Sequence, residues 1–206
     1  MVEKHYGGEA GFGFKSGKLD KKSNNLKGII NLNKSFNIRT IGEEMDKKAV
    51  DKIVKAGEIA QELRRFAREL IKPGMKLIEI ANKIDDKIFE LGAKPGFPVN
   101  LSINEIAAHY TPSFNDDKIA RGLLKVDIGI SVDGYIADTA FTLDLEGNDE
   151  NKKLISAAEL AVDTSVKNFG IGVKLGDLGK KIQDAIVSKG FNSIVNLSGH
   201  SIERFV

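Results

Sequence analysis

The stretch Lys125-Val-Asp-Ile-Gly-Ile-Ser-Val-Asp-Gly-Tyr-Ile-Ala-Asp-Thr-Ala-Phe-Thr-Leu143 marks a change of period from helix to strand. Val126, Ile128, Ile130 and Val132 alternate with Asp127, Gly129, Ser131 and Asp133, the pattern of a strand with one apolar face. Asp133-Gly134 is a dipeptide favoured in two-residue hairpin turns, where both positions need positive φ. Such a turn sets Val132 opposite Tyr135, Asp127 opposite Ala140 and Asp138 opposite Gly129. Facing residues share one side of a sheet, so Asp127 and Asp138 are predicted to project together as diagonal neighbours within side-chain reach. Their opposite partners, Ala140 and Gly129, are small and leave room. The other face pairs Val126 with Phe141, Ile128 with Thr139 and Ile130 with Ala137, which suits a core.

Two carboxylates brought together repel one another and, if buried, lose hydration. A shared proton, an arginine or a cation would relieve this, and paired metal ions use carboxylates at such spacing as bridges. An exposed hairpin carrying two polar residues is the plainer alternative. The chain has no cysteine, so a metal would have to be held by His, Asp or Glu. Its three histidines are His5, His109 and His200. His109 ends an apolar stretch before a proline turn, and His200 follows Gly199. Each taken singly reads as a structural histidine. Together with the acidic hairpin they offer the neutral imidazole that first-row divalent metals accept.

Outward from the hairpin, helical periodicity dominates. Val50, Ile53, Val54, Ile59, Ala60, Leu63, Phe66, Ala67 and Leu70 recur at three- and four-residue steps, after a capping-box pattern at Thr40 and Glu43. Lys72-Pro73-Gly74 stops that helix. A second amphipathic helix carries Leu77, Ile80, Ala81, Ile84, Ile88 and Leu91 and stops at Gly92. Pro95-Gly96-Phe97-Pro98 reads as a rigid loop, and residues 99–110 as a strand and turn. Two more helices are expected at about 150–168 and 177–189, and a last strand from Ser193 to Leu197. That order predicts an α+β domain over residues 42–206. Residues 1–41 read as a separate Gly/Lys-rich arm with eight basic and three acidic residues and one short apolar run, Gly28–Leu32. A solvated tail is the plain reading of that arm, and nucleic-acid contact the functional one.

Composition narrows the classes. With 206 residues, 41% hydrophobic, 29% charged and a net charge of +2, the chain is ordinary for a water-soluble domain. No apolar run approaches the length of a membrane span, and the first residues lack a signal-peptide core, so a cytoplasmic protein without a membrane partner is expected. Gly11–Ser16 lacks the last glycine of a dinucleotide fingerprint, and neither a nucleophile elbow nor a phosphate loop is present.

The segments KAGEIAQELR, PGMKLIEIA, GFPVNLSINEIAAHYTP, KVDIGISVDGYIADTAFTLDL and IVNLSGHSIERF resemble, in sequence and order, the N-terminal part of the archaeal-type methionine aminopeptidases, type 2 members of the pita-bread metallopeptidases. The resemblance implies the N-terminal half of a pita-bread fold, a curved antiparallel sheet with covering helices. It implies two divalent metal ions (Co, Mn, Fe or Zn), with Asp127, Asp138 and His200 matching metal ligands. His109 matches a catalytic histidine that contacts substrate, and Phe97 an aromatic of the methionine pocket. The implied activity is removal of the initiator methionine from nascent polypeptide N-termini; the ribosome as a further partner is the functional reading of the basic arm's charge and not part of the resemblance. The family's two glutamate ligands belong to its second half. The expectation is therefore a chain inactive alone, either a truncated fragment of a longer enzyme or one part of a split enzyme completed by a second chain. A non-catalytic pita-bread module that binds ribosomes or other proteins is the alternative, and the retained Asp-Asp-His set favours the enzyme.

Overall fold

A computed structural model describes residues 46–205. The basic arm, the Gly28–Leu32 run, His5 and the Thr40–Glu43 capping box lie outside the described residues. Helix α1 spans Lys47–Leu70 and is capped by Asp46, whose side chain accepts from the Ala49 N–H at 2.6 Å. That bond satisfies one of the donors that every helix start leaves open. Its apolar stripe is buried at Ala56, Ile59, Ala60, Leu63 and Ala67, whereas Val50, Ile53 and Val54 remain exposed. Helix α2, Leu77–Glu90, buries Leu77, Ile80, Ile84 and Ile88 completely. Gly74 and Gly92 each take positive φ, as expected where a chain leaves a helix.

Three antiparallel strands follow in the spatial order β1-β2-β3: β1 Lys94–Ile103, β2 Leu123–Val132 and β3 Tyr135–Asp144. Helix α1 packs on β2 and β3, and α2 on β1. Their apolar faces meet Leu124, Val126, Ile128 and Ile130 of β2, all fully buried, together with Leu101 and Phe141. Each such side chain contributes about 1.5–3 kcal/mol by leaving water, so this layer holds the sheet. Period-2 alternation turns Lys125, Asp127, Gly129 and Ser131 to the other face. Helices α3, Asp149–Asn168, and α4, Leu175–Val187, pack on one another, and α3 lies beside β3. Among the described residues no helix is long and apolar enough to cross a membrane.

Two expectations need correcting. Pro95-Gly96-Phe97-Pro98 belongs to β1 rather than to a loop, with Pro95 opposite Ile130 and Phe97 opposite Gly129. Strand β1 is at the sheet edge, where a proline can sit without removing an inter-strand hydrogen bond. The register shifts between Pro95 and Phe97 and between Phe97 and Asn100 let the irregular sequence stay paired. The strand expected at Ser193–Leu197 does not form. A strand needs a neighbour to pair with, and Ile194, Val195 and Leu197 instead lie exposed in an irregular segment.

Candidate metal centre

The hairpin turn sets the site. Asp133 and Gly134 both adopt positive φ, 52° and 89°, and the Gly134 N–H donates to Ser131 Oγ at 3.1 Å. Outside the turn, Lys52 pairs with the Asp133 carboxylate at 2.9 Å. From this turn β2 and β3 run in unbroken register from Val132 opposite Tyr135 to Leu123 opposite Asp144. Asp127 therefore faces Ala140 and Asp138 faces Gly129, as the turn chemistry predicts. Both aspartates point away from the layer formed by α1 and α2.

The neighbouring edge completes the face. Phe97, Gly129 and Asp138 form one row across the three strands, and Asn100, Asp127 and Ala140 the next. Phe97 and Asn100 are three residues apart, so a regular strand would turn them to opposite faces. The register shift between them absorbs the extra residue and brings both to the aspartate side. The Phe97 ring lies directly over the α-carbon of Gly129, in the space that any β-carbon there would fill.

Charge explains the chemistry of the pair. Asp127 is half-buried, and burial, followed by the negative charge of Asp138, pushes its carboxyl above the usual carboxylate range. A side-chain hydrogen bond from Asn100 and the charges of His109 and His200 act in the opposite direction. The His200 Nε2 lies 3.5 Å from Asp138 Oδ2, and its Nδ1 is 3.0 Å from the Ser201 carbonyl oxygen. His109 sits at φ 64° in an exposed loop tied back to β1, where the Leu101 N–H donates to the Tyr110 carbonyl at 2.7 Å. Beside the aspartates, between β3 and α3, runs a cleft of about 810 Å³ bordered by Arg68, Lys125, Glu159 and Asp163.

The structure thus gathers Asp127 and Asp138, brings His200 to Asp138, and places Phe97 on the same face. His109 stands within electrostatic range of Asp127. Among the described residues, no three His, Asp or Glu side chains close on a single point at ligating distance. The donor types still suit a first-row divalent cation: two carboxylates, one raised by burial and then by its neighbour's charge, and an imidazole beside the other. The sequence reading missed Asn100 and Thr111, whose hydroxyl donates to Asn100 Oδ1 at 2.6 Å. Asparagine is depleted in strands, and its presence inside a run of strand formers was the available signal.

Residues 51–206 match the model of metallopeptidase family M24. The chain is 51% identical over 158 residues to a methionine aminopeptidase of Pyrococcus abyssi, covering 76% of this chain and 53% of that one. It is 46% identical over 163 residues to the methionine aminopeptidase of Methanocaldococcus jannaschii, covering 78% and 55%. It therefore spans about half the length of the curated relatives it matches. Among solved structures, a methionine aminopeptidase from Thermotoga maritima superposes with a TM-score of 0.72 at 26% identity, covering 78% of this chain and 68% of that one. The helices and antiparallel sheet are those of the pita-bread fold. With the acidic hairpin, the helices behind it and the ordered motifs all in agreement, the chain belongs to metallopeptidase family M24.

Proposed function

We propose that this chain forms the N-terminal part of a methionine aminopeptidase, a metal-dependent hydrolase acting on the N-termini of nascent polypeptides in the cytoplasm. The observation that carries the reading is the diagonal pair Asp127 and Asp138, set side by side on one sheet face with His200 at 3.5 Å from Asp138. Asp127, Asp138 and His200 would hold divalent ions, and such ions polarise a carbonyl and activate water. The two carboxylates supply the negative charge that keeps a cation at the site. His200, oriented through its Nδ1 beside the Ser201 carbonyl, presents Nε2 toward Asp138. His109 offers an imidazole that holds or gives a proton at the substrate's amide. The ring of Phe97 lies against the sheet at Gly129 and forms a flat apolar wall, a surface that a thioether side chain contacts favourably.

Calorimetric titration of the 206-residue chain with Mn(II) tests the reading. Asp138→Asn is expected to weaken binding by more than the roughly 10–100-fold that an outer partner of a ligand costs. In the Mn(II)-loaded chain, free L-methionine is expected to bind, and Phe97→Ala to weaken that binding about tenfold through lost apolar contact. Unchanged Mn(II) affinity in Asp138→Asn would remove the metal site. Methionine binding indifferent to Phe97 would remove the substrate assignment.

A further inference from the structure

We infer that Thr111 and Asn100 form a relay that orients the Asp127 carboxylate and ties it to the loop carrying His109, so that Asn100 is a positioning residue for the metal centre. The inference rests on the assignment of Asp127 to that centre. Asn100 stands directly opposite Asp127 in the β1–β2 register. Its Oδ1 accepts from the Thr111 hydroxyl at 2.6 Å. A carboxamide has one oxygen, which only accepts, and one nitrogen, which only donates. With the oxygen committed to Thr111, the amide nitrogen is the end left for Asp127, and an ionised carboxylate takes only donors. The polarity is consistent along the whole path: hydroxyl to carbonyl oxygen, then amide N–H to carboxylate.

The surrounding backbone makes the relay a link between two parts of the site. Thr111 is two residues beyond His109. Between them Tyr110 is fixed twice, its N–H donating to Ser102 Oγ at 3.3 Å and its carbonyl accepting from the Leu101 N–H at 2.7 Å. The bulge between Phe97 and Asn100 is what turns Asn100 toward Asp127 at all. A regular strand would aim it at α2, and the relay would not exist. Partners of this kind fix the direction of a ligand's lone pairs, so their loss weakens a metal site without touching the metal.

Mn(II) titration of the full chain tests this with three variants. Thr111→Val keeps the shape and removes the hydroxyl; Thr111→Ser keeps the hydroxyl and removes a methyl group. Asp138→Asn reports on the centre itself. Thr111→Val is expected to lower Mn(II) affinity about tenfold, with Thr111→Ser within about twofold of the parent. The metal-free melting temperatures of the two threonine variants should agree, because the hydroxyl acts on orientation rather than on the core. If Thr111→Val binds Mn(II) like the parent while Asp138→Asn does not, the relay is wrong and the centre stands. If Thr111→Ser loses as much as Thr111→Val, the hydroxyl is not the agent and the relay is also wrong. If neither Thr111→Val nor Asp138→Asn changes binding, the centre falls and the relay with it.

Discussion

The two strand pairings of this sheet are built by different means. Strands β2 and β3 are joined by a two-residue turn and stay in register along their whole length. Strands β1 and β2 are joined by a long excursion through Asn104–Gly122 and pair with two register shifts. Local turn chemistry fixes the first pairing, because Asp133 and Gly134 accept positive φ and so count the residues on either side. Contacts distant in sequence fix the second: the Phe97 ring over Gly129, and the Asn104 side chain accepting from the Leu123 N–H at 2.9 Å. One pairing supplies the carboxylates, and the other supplies what surrounds them.

The largest expected disturbance is in the second pairing. Gly129→Leu places a side chain where the Phe97 ring lies, and overpacking of this kind costs about 3 kcal/mol. Urea denaturation should show a lower midpoint with an unchanged slope. Loss smaller than about 1 kcal/mol would mean that the ring moves aside freely and does not define the register. Next comes the turn. Gly134→Ala forces a β-carbon into a left-handed conformation, at about 1–2 kcal/mol. The same denaturation measurement checks it, and the loss should be accompanied by weaker Mn(II) binding if the turn sets the aspartate spacing.

The smallest effect is a dependence on pH. Asp127 is raised above the ordinary carboxylate range by burial and then by Asp138. A carboxyl raised on folding favours the folded state fully below its unfolded value, and that advantage disappears as pH rises through the folded value. In EDTA, Asp127→Asn should therefore melt at a higher temperature than the parent near neutral pH. The difference should vanish in acid below the ordinary aspartate range. A gap of equal size at all pH values would show that charge is not its source.

These contrasts also explain which features were legible in the sequence. The hairpin could be read residue by residue, because alternation and a turn dipeptide act within a few positions. Helices α1 and α2 were equally plain from their apolar period. The first half of strand β1 was hidden, since Pro95-Gly96-Phe97-Pro98 carries the composition of a loop and becomes a strand only through its edge position, whereas residues 99–103 fall within the stretch read as a strand and turn. Asn100 was missed for a related reason: a bulge decides which face it takes, and an asparagine among strand formers is only a faint sign of it, while Thr111 reaches it from a loop distant in sequence. Ser193–Leu197 erred the other way, with apolar residues at strand spacing but no strand beside them.

The absence of any break between β2 and β3 reaches beyond binding chemistry. A slip of a single position along this hairpin would carry one aspartate through the sheet and press it against the greasy side of α1, an uncompensated burial that costs several kcal/mol. Misaligned hairpins are thus rejected during folding by the very groups that serve the finished molecule. Replacing them with alanine would do more than empty a ligand set: it would also silence an error check, leaving the chain freer to settle in the wrong alignment.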